Sequence, residues 1–146
     1  MPDRRKLFAL ALGAATALGR TDAASSQQAG APTGAPQMSL AECIAICLKC
    51  HGACLEAAAQ VLAGPAPAEA NLVVILLDCA EICQATANSM SRASPVHTAF
   101  CGACAQVCDA CAAACGRASD AAALNACRQV CRDCAMSCRH IAGPMH

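Results

Sequence analysis

From Met38 to Ala142 the apolar positions recur at steps of three and four, which return to one face of a 3.6-residue helix. Punctuation divides this stretch into four helices. Ser39 caps the first, Glu42 completes a Ser-x-x-Glu capping box, and the helix runs to about Leu62 before Gly64-Pro65. Pro67 opens the second, with Glu69 in its first turn, and that helix ends near Arg92. Ser94 caps the third with Pro95 at its first position, and Gly116 closes it. Ser119 and Asp120 start the fourth, which ends before Gly143-Pro144. Short loops between four helices predict an all-α fold, an up-down-up-down four-helix bundle over residues 38–142, with 143–146 as a tail.

The residues on the repeating face are unusual. A soluble helix normally presents Leu, Ile and Val there. Here the stripe is made of thiols. Cys43, Cys47, Cys50 and Cys54 follow gaps of 4, 3 and 4, and Cys127, Cys131, Cys134 and Cys138 repeat them. Cys101, Cys104, Cys108, Cys111 and Cys115 follow gaps of 3, 4, 3 and 4, and Cys79 and Cys83 form a shorter echo. At about 100° per residue the first and last runs each fall within an arc of about 60°, and the five-membered run within about 80°. The lumen of the bundle is therefore expected to be lined with sulfur.

A disulfide framework is the first explanation to weigh for 15 cysteines in a small chain. The spacing argues against it. Helical neighbours at i and i+4 keep their Cβ atoms about 5–6 Å apart, whereas a disulfide needs about 3.5–4.5 Å. An odd count also leaves one thiol over. Structural zinc sites place Cys pairs on turns and close a four-ligand tetrahedron, but these thiols lie along continuous helices and outnumber one or two such sites. A soft monovalent ion suits the pattern better. Two metal–sulfur bonds end to end span roughly 4–5 Å, close to the reach of an i, i+4 pair. Soft thiolates select Cu(I), zinc or iron–sulfur clusters; geometry favours Cu(I), while affinity alone leaves zinc open. Cys47-Leu48-Lys49-Cys50-His51 is a literal C-x-x-C-H, the haem attachment signature, yet haem would use two thiols and leave thirteen unexplained. The ferredoxin run C-x₂-C-x₂-C-x₃-C-P is absent.

Residues 1–24 read as an export signal. Arg4-Arg5-Lys6-Leu7-Phe8 is a twin-arginine start, and the apolar run from Leu7 to Leu18 is too short to span a bilayer. The expectation is export to the periplasm. Residues 25–37, rich in Ala, Gly, Pro, Gln and Ser, form a flexible linker. Beyond Ala24, eight acidic side chains against six basic ones leave a net charge of −2, and Phe100 is the only aromatic. Nucleic acid and an acidic membrane surface therefore have no basic patch to engage. No nucleophile paired with a base, oxyanion donor or open metal position is evident, so an enzyme is not expected.

The topology sorts residues to two ends. Val61, Leu72, Ile75, Leu76 and Leu124 fall on the thiol face at one end and are expected to plug it. At the other end Met90 lies seven residues past Cys83, and His97 lies four before Cys101, both on the stripe, with Met38, Met145 and His146 close in sequence. Thioether and imidazole are acceptable ligands for a soft ion, so this end is read as the entry mouth, with Met90 and His97 as first contacts. His51 sits at the stripe edge as a candidate peripheral ligand. Met136 and His140 point away from it and read as surface or subunit-contact residues. Asp78, Asp109 and Asp133 flank cysteines and read as solvated faces.

A twin-arginine leader, four helices and inward rows of CxxxC and CxxC together resemble the exported copper storage proteins of bacteria, over about Ser39 to Ile141. The resemblance implies a bundle whose lumen holds many Cu(I) ions on thiolates, and assembly into homo-oligomers, commonly tetramers. It implies i, i+4 clamps at Cys43–Cys47, Cys50–Cys54, Cys79–Cys83, Cys104–Cys108, Cys111–Cys115, Cys127–Cys131 and Cys134–Cys138, with Cys101 as an extra ligand. If each thiolate bridges two ions and each ion takes two sulfurs, the load is roughly one ion per Cys, or roughly fifteen per chain. The implied function is sequestration followed by release to a copper-accepting enzyme or chaperone, or copper tolerance. Zinc buffering, or a haem or iron–sulfur redox role, is the alternative. Free Cys packs as a small hydrophobe, so no unfolding is expected without metal.

Overall fold

The computed structural model describes residues 38–64, 70–118 and 122–143. The leader and linker, and the expected starts at Pro67, Glu69, Ser119 and Asp120, lie outside these residues, as do Met145 and His146. Four α-helices follow in order: α1 (Leu40–Ala63), α2 (Ala70–Ser91), α3 (His97–Ala118) and α4 (Ala122–Ala142).

Local chemistry sets the ends that are described. The Ser39 hydroxyl accepts from the Glu42 amide at 3.2 Å, and the Glu42 carboxylate accepts from the Ser39 amide at 2.7 Å, which completes the capping box. These bonds hold the exposed Glu42 carboxyl below its ordinary range. The α2–α3 corner is a Schellman turn. Ala93 N–H donates to Met90 O at 2.9 Å and Ser94 N–H to Ser89 O at 3.1 Å. That geometry places Ala93 at φ 50°, a left-handed position where a Cβ is unfavourable. Ser94 then caps the next helix, its hydroxyl accepting from Val96 N–H at 3.4 Å. The first turn is tight, with His97 N–H bonded to Ser94 O at 3.1 Å, and the regular helix begins only at His97. At the far end α3 does not stop at Gly116 but continues to Ala118. The Arg128 side chain of α4 lies over that glycine, 3.4 Å from where a Cβ would stand. A helical glycine costs only about 1 kcal/mol, so Gly116 does not by itself end the helix. α4 closes as expected, with Gly143 at φ 72° and its N–H on Arg139 O at 3.2 Å.

Each helix packs on two neighbours, in the cycle α1–α2–α3–α4–α1. Contacts across two of the seams show the antiparallel sense. Cys54 meets Cys127 while Cys47 meets Cys134 across α1–α4, and Cys79 meets Cys108 while Met90 meets Cys101 across α2–α3. The bundle is up-down-up-down. Its core is mostly Cys and Ala, with Leu76 and Met90 the bulkiest fully buried apolar side chains. Leu76, Leu72 and Leu124 are buried at one end, and Val61 and Ile75 pack partly buried against them, so hydrocarbon closes that end. α2 and α3 are long and apolar enough to cross a membrane by length and composition alone.

Candidate metal centre

All fifteen cysteines are free and buried, with none exposed by more than 1%. The helical period puts them on the inner faces, and the antiparallel register interleaves them. Within a helix, Cys104 and Cys108 lie 3.9 Å apart, as do Cys127 and Cys131. Between helices the sulfurs approach more closely. Cys54–Cys127 is 3.5 Å, Cys47–Cys138 and Cys83–Cys108 are 3.6 Å, and Cys50–Cys131, Cys79–Cys108, Cys83–Cys104 and Cys134–Cys47 are 3.7 Å. These are thiol–thiol contacts, well beyond a disulfide bond of about 2.05 Å.

The sulfurs form overlapping groups of four. Cys47, Cys104, Cys134 and Cys138 form one; Cys54, Cys111, Cys127 and Cys131 another; Cys83, Cys104, Cys108 and Cys134 a third. Cys50 and Cys79 belong to two more, one with Cys83 and Cys108, one with Cys54 and Cys131. Within each group all sulfurs lie within 4.8 Å of one another. Two metal–sulfur bonds of about 2.3 Å span about 4.6 Å when collinear and about 4.0 Å at a trigonal angle. An ion thus fits between these sulfurs with movements of about 1 Å or less. The interhelical pairs fit as well as the i, i+4 pairs, which periodicity along single helices does not reveal. At the end opposite the leucine plug, Cys43 lies 3.9 Å from Cys138. Cys115, at the opposite end of α3, is influenced chiefly by Cys111 and Cys127.

The buried thiols lie within hydrogen-bonding reach of one another, and each shifts its neighbours. Cys108 is pushed above its ordinary range by Cys104, Cys134, Cys50 and Cys79, reinforced by burial. Cys50 moves the other way, its thiolate stabilised by Cys108, Cys131, Cys134 and Cys54. Cys111 likewise raises Cys127, but Cys115, Cys131 and Cys54 outweigh it and bring Cys127 down to about 5. Cys138 lowers Cys101, yet Cys43, burial and the charges of Cys43 and Cys104 carry it up to about 12. Loss of a proton at one sulfur is therefore felt along the ladder, and a cation placed between sulfurs replaces protons directly.

The structure places the other candidates as follows. Met90 is 1% exposed and its thioether accepts from the Cys101 thiol at 3.7 Å, so it joins the end of the ladder. His97 is half-buried, with Nδ1 2.7 Å from Ser94 O. His51 directs Nδ1 at Ala80 O, 2.9 Å away, bracing α1 against α2. A carbonyl only accepts, so Nδ1 of both rings carries a proton and donates. Cys47 and Cys50 of the haem-like motif are fully buried among sulfurs of α3 and α4. Met136 and His140 are exposed. Asp109 pairs with Arg139 at 2.5 Å, and Asp133 accepts from Gln129 at 2.9 Å. Three buried hydroxyls were not anticipated. Thr86 donates to Phe100 O at 3.4 Å, whereas Ser89 and Ser137 have no hydrogen-bond partner among the described residues. Their sequence signal is a polar residue three positions beyond a stripe residue: Thr86 after Cys83, Ser89 after Thr86, and Ser137 after Cys134.

Comparison with known proteins agrees with this geometry. The model of the copper storage protein family matches residues 36–143. A structure from Nitrosospira multiformis is 39% identical, covers 70% of this chain and 94% of its own, and superposes with a TM-score of 0.65. The Cu(I)-bound copper storage protein of Bacillus subtilis is 30% identical, with coverage of 72% and 100% and a TM-score of 0.68. A cytosolic copper storage protein from Streptomyces lividans, solved with five coppers, is 34% identical, with coverage of 73% and 94% and a TM-score of 0.68. A search of curated protein sequences finds no match. A matched model over most of the chain, the same bundle and a lumen of free thiols lead to one conclusion: the chain belongs to the copper storage protein family.

Proposed function

We propose that this protein sequesters Cu(I) on all fifteen cysteine thiolates, about one ion per thiolate by soft-ligand bridging. The observation that carries this reading is the continuity of the sulfur groups, which share members from Cys138 through to Cys127 along the lumen. Charge supports the ratio. Each Cu(I) replaces one proton and neutralises one thiolate, so a full lumen is uncharged, as a buried site requires. The chain acts as a store and not as a catalyst. It passes its cargo to a copper-accepting enzyme or chaperone, or confers copper tolerance, and it needs neither nucleic acid nor a membrane for this. Met90 and His97 serve the mouth as first contacts, Met90 through its link to Cys101.

Two further parts of the proposal concern place and assembly. Arg4-Arg5 supports twin-arginine export to the periplasm, in contrast to the Streptomyces relative described as cytosolic. Leu48, Leu55 and Leu62 are 44%, 43% and 63% exposed at every seventh residue of α1, beside exposed Val74 and Leu77 of α2. Such a patch supports a homo-oligomer, and the family resemblance implies a tetramer. Light scattering on the mature chain checks this.

Zinc buffering is the second reading, because four sulfurs at mutual tetrahedral spacing also suit Zn²⁺. Competition separates the two. Protein equilibrated with Zn²⁺ is given Cu(I) anaerobically. The storage reading expects zinc to leave and a colourless copper form to remain. Retention of zinc against excess Cu(I) supports the buffer, and a strong visible chromophore in the purified protein points to haem or iron–sulfur.

A further inference from the structure

The seam between α1 and α4 carries chemistry that the lumen does not use. A groove of about 620 Å³ runs along its outer side, and Met38, Glu42, Met136, Ser137 and His140 line it. Met136 and His140 are one helical turn apart on α4, and both are exposed. Met38 joins them from the start of α1, which runs antiparallel to α4. The groove thus offers two thioethers and an imidazole, a soft and borderline donor set. Ser137 sits at its floor. Ser137 is 1% exposed, its hydroxyl has no hydrogen-bond partner among the described residues, and burying such a group is costly. Its chain neighbour Cys138 is fully buried among the lumen sulfurs. Cys43 and Cys138 in turn face each other across this seam at 3.9 Å. Outward thioethers, an unpartnered hydroxyl and inward thiols therefore lie in sequence from solvent to lumen.

We propose that the α1–α4 groove is a lateral capture site for Cu(I), in which Met38, Met136 and His140 hold the ion outside the lumen beside the Ser137 seam, before Cys43 and Cys138 take it. The proposal rests on the storage reading above. It adds a side entrance to the mouth at Met90 and His97. Capture involves ligand exchange without redox change: thioether and imidazole replace the donor's ligands, Cys43 and Cys138 then replace them as thiolates with the Cys138 proton released to solvent, and the ion stays Cu(I) throughout.

The test uses the full mature protein and the variant Met136→Ala/His140→Ala, which leaves every thiol in place and alters only exposed side chains. Cu(I) is delivered anaerobically as the complex of a coloured bidentate chelator, and transfer is followed by stopped flow. Groups supporting a metal site contribute about 10- to 100-fold, so initial transfer should slow by at least about 10-fold with final copper content unchanged. His97→Ala serves as the comparison for the mouth. An unchanged rate in the double variant overturns the groove, as does slowing confined to His97→Ala. A parent protein that takes up only a few ions overturns the storage reading itself, and this proposal with it. Methionine-methyl NMR gives a second readout. The first Cu(I) added should shift the Met38 and Met136 methyls before that of Met90; the reverse order overturns the proposal.

Discussion

Replacing Cys108 with serine perturbs the middle of the ladder at one atom. Its sulfur lies 3.6 Å from Cys83, 3.7 Å from Cys79, 3.9 Å from Cys104 and 4.0 Å from Cys50, and it belongs to two four-sulfur groups. The hydroxyl introduced by Cys108→Ser is hard and does not ionise, so the lumen keeps fourteen thiolates. An additional Cu(I) would then be an uncompensated charge. One charge felt at about 4 Å with an effective dielectric of about 20 is worth about 4 kcal/mol, or nearly three decades in affinity at 1.4 kcal/mol per decade. The retained load should fall by one ion per chain and no more. The apo protein should lose about 1–3 kcal/mol from burial of a poorly partnered hydroxyl. At 4–8 °C per kcal/mol for a domain of this size, the melting temperature should drop by roughly 10 °C. Native mass spectrometry after chelator competition resolves single copper increments, and thermal melting of the apo form gives the second quantity. An undiminished load would refute charge matching. Loss of four or more ions in a variant that remains folded would show that the sulfur groups fill as separate units.

The remaining predictions concern the plug, the protons and the corner. Leu76→Ala removes a fully buried side chain from the closed end, and apo stability should fall by about 2–5 kcal/mol in chemical denaturation; a loss below about 1 kcal/mol would contradict the plug. Eight thiols (Cys47, Cys54, Cys83, Cys101, Cys108, Cys115, Cys131 and Cys138) are held above the ordinary range by their neighbours and by burial, so they are protonated at pH 7. Filling the lumen must expel those protons, so pH-stat titration should record at least eight released per chain. Copper retention should weaken as pH falls because protons compete for the same sulfurs, and retention unchanged from pH 8 to pH 5 would refute it. Ala93→Gly relieves a Cβ at φ 50° and should raise apo stability by about 0.5–1 kcal/mol, with a loss of stability as the contrary result.

The sequence made the helices legible because its local signals agree. The Ser39–Glu42 box, Ser94-Pro95 and Gly143 act within a turn of the chain, and their geometry appears as the residues predict. The burial of every cysteine followed from a 3.6-residue period and one shared face. Gly116 misled because a glycine does not by itself end a helix, and the Arg128 side chain that lies over it from across the bundle leaves no local mark. For the same reason the interhelical sulfur pairs were hidden. That Cys54 meets Cys127 at 3.5 Å depends on the register of two helices far apart in sequence. Met136 and His140 were read correctly as facing outward, but one helix alone could not show that Met38 shares their groove.

The most direct test of the central claim is anaerobic titration of the reduced mature protein with Cu(I), desalting against a competing chelator, and counting of metal and thiols. Ten or more ions retained per chain, approaching one per thiol as soft thiolate bridging allows, is the predicted result. Saturation at about one to four ions, the number expected of discrete closed sites, would contradict it.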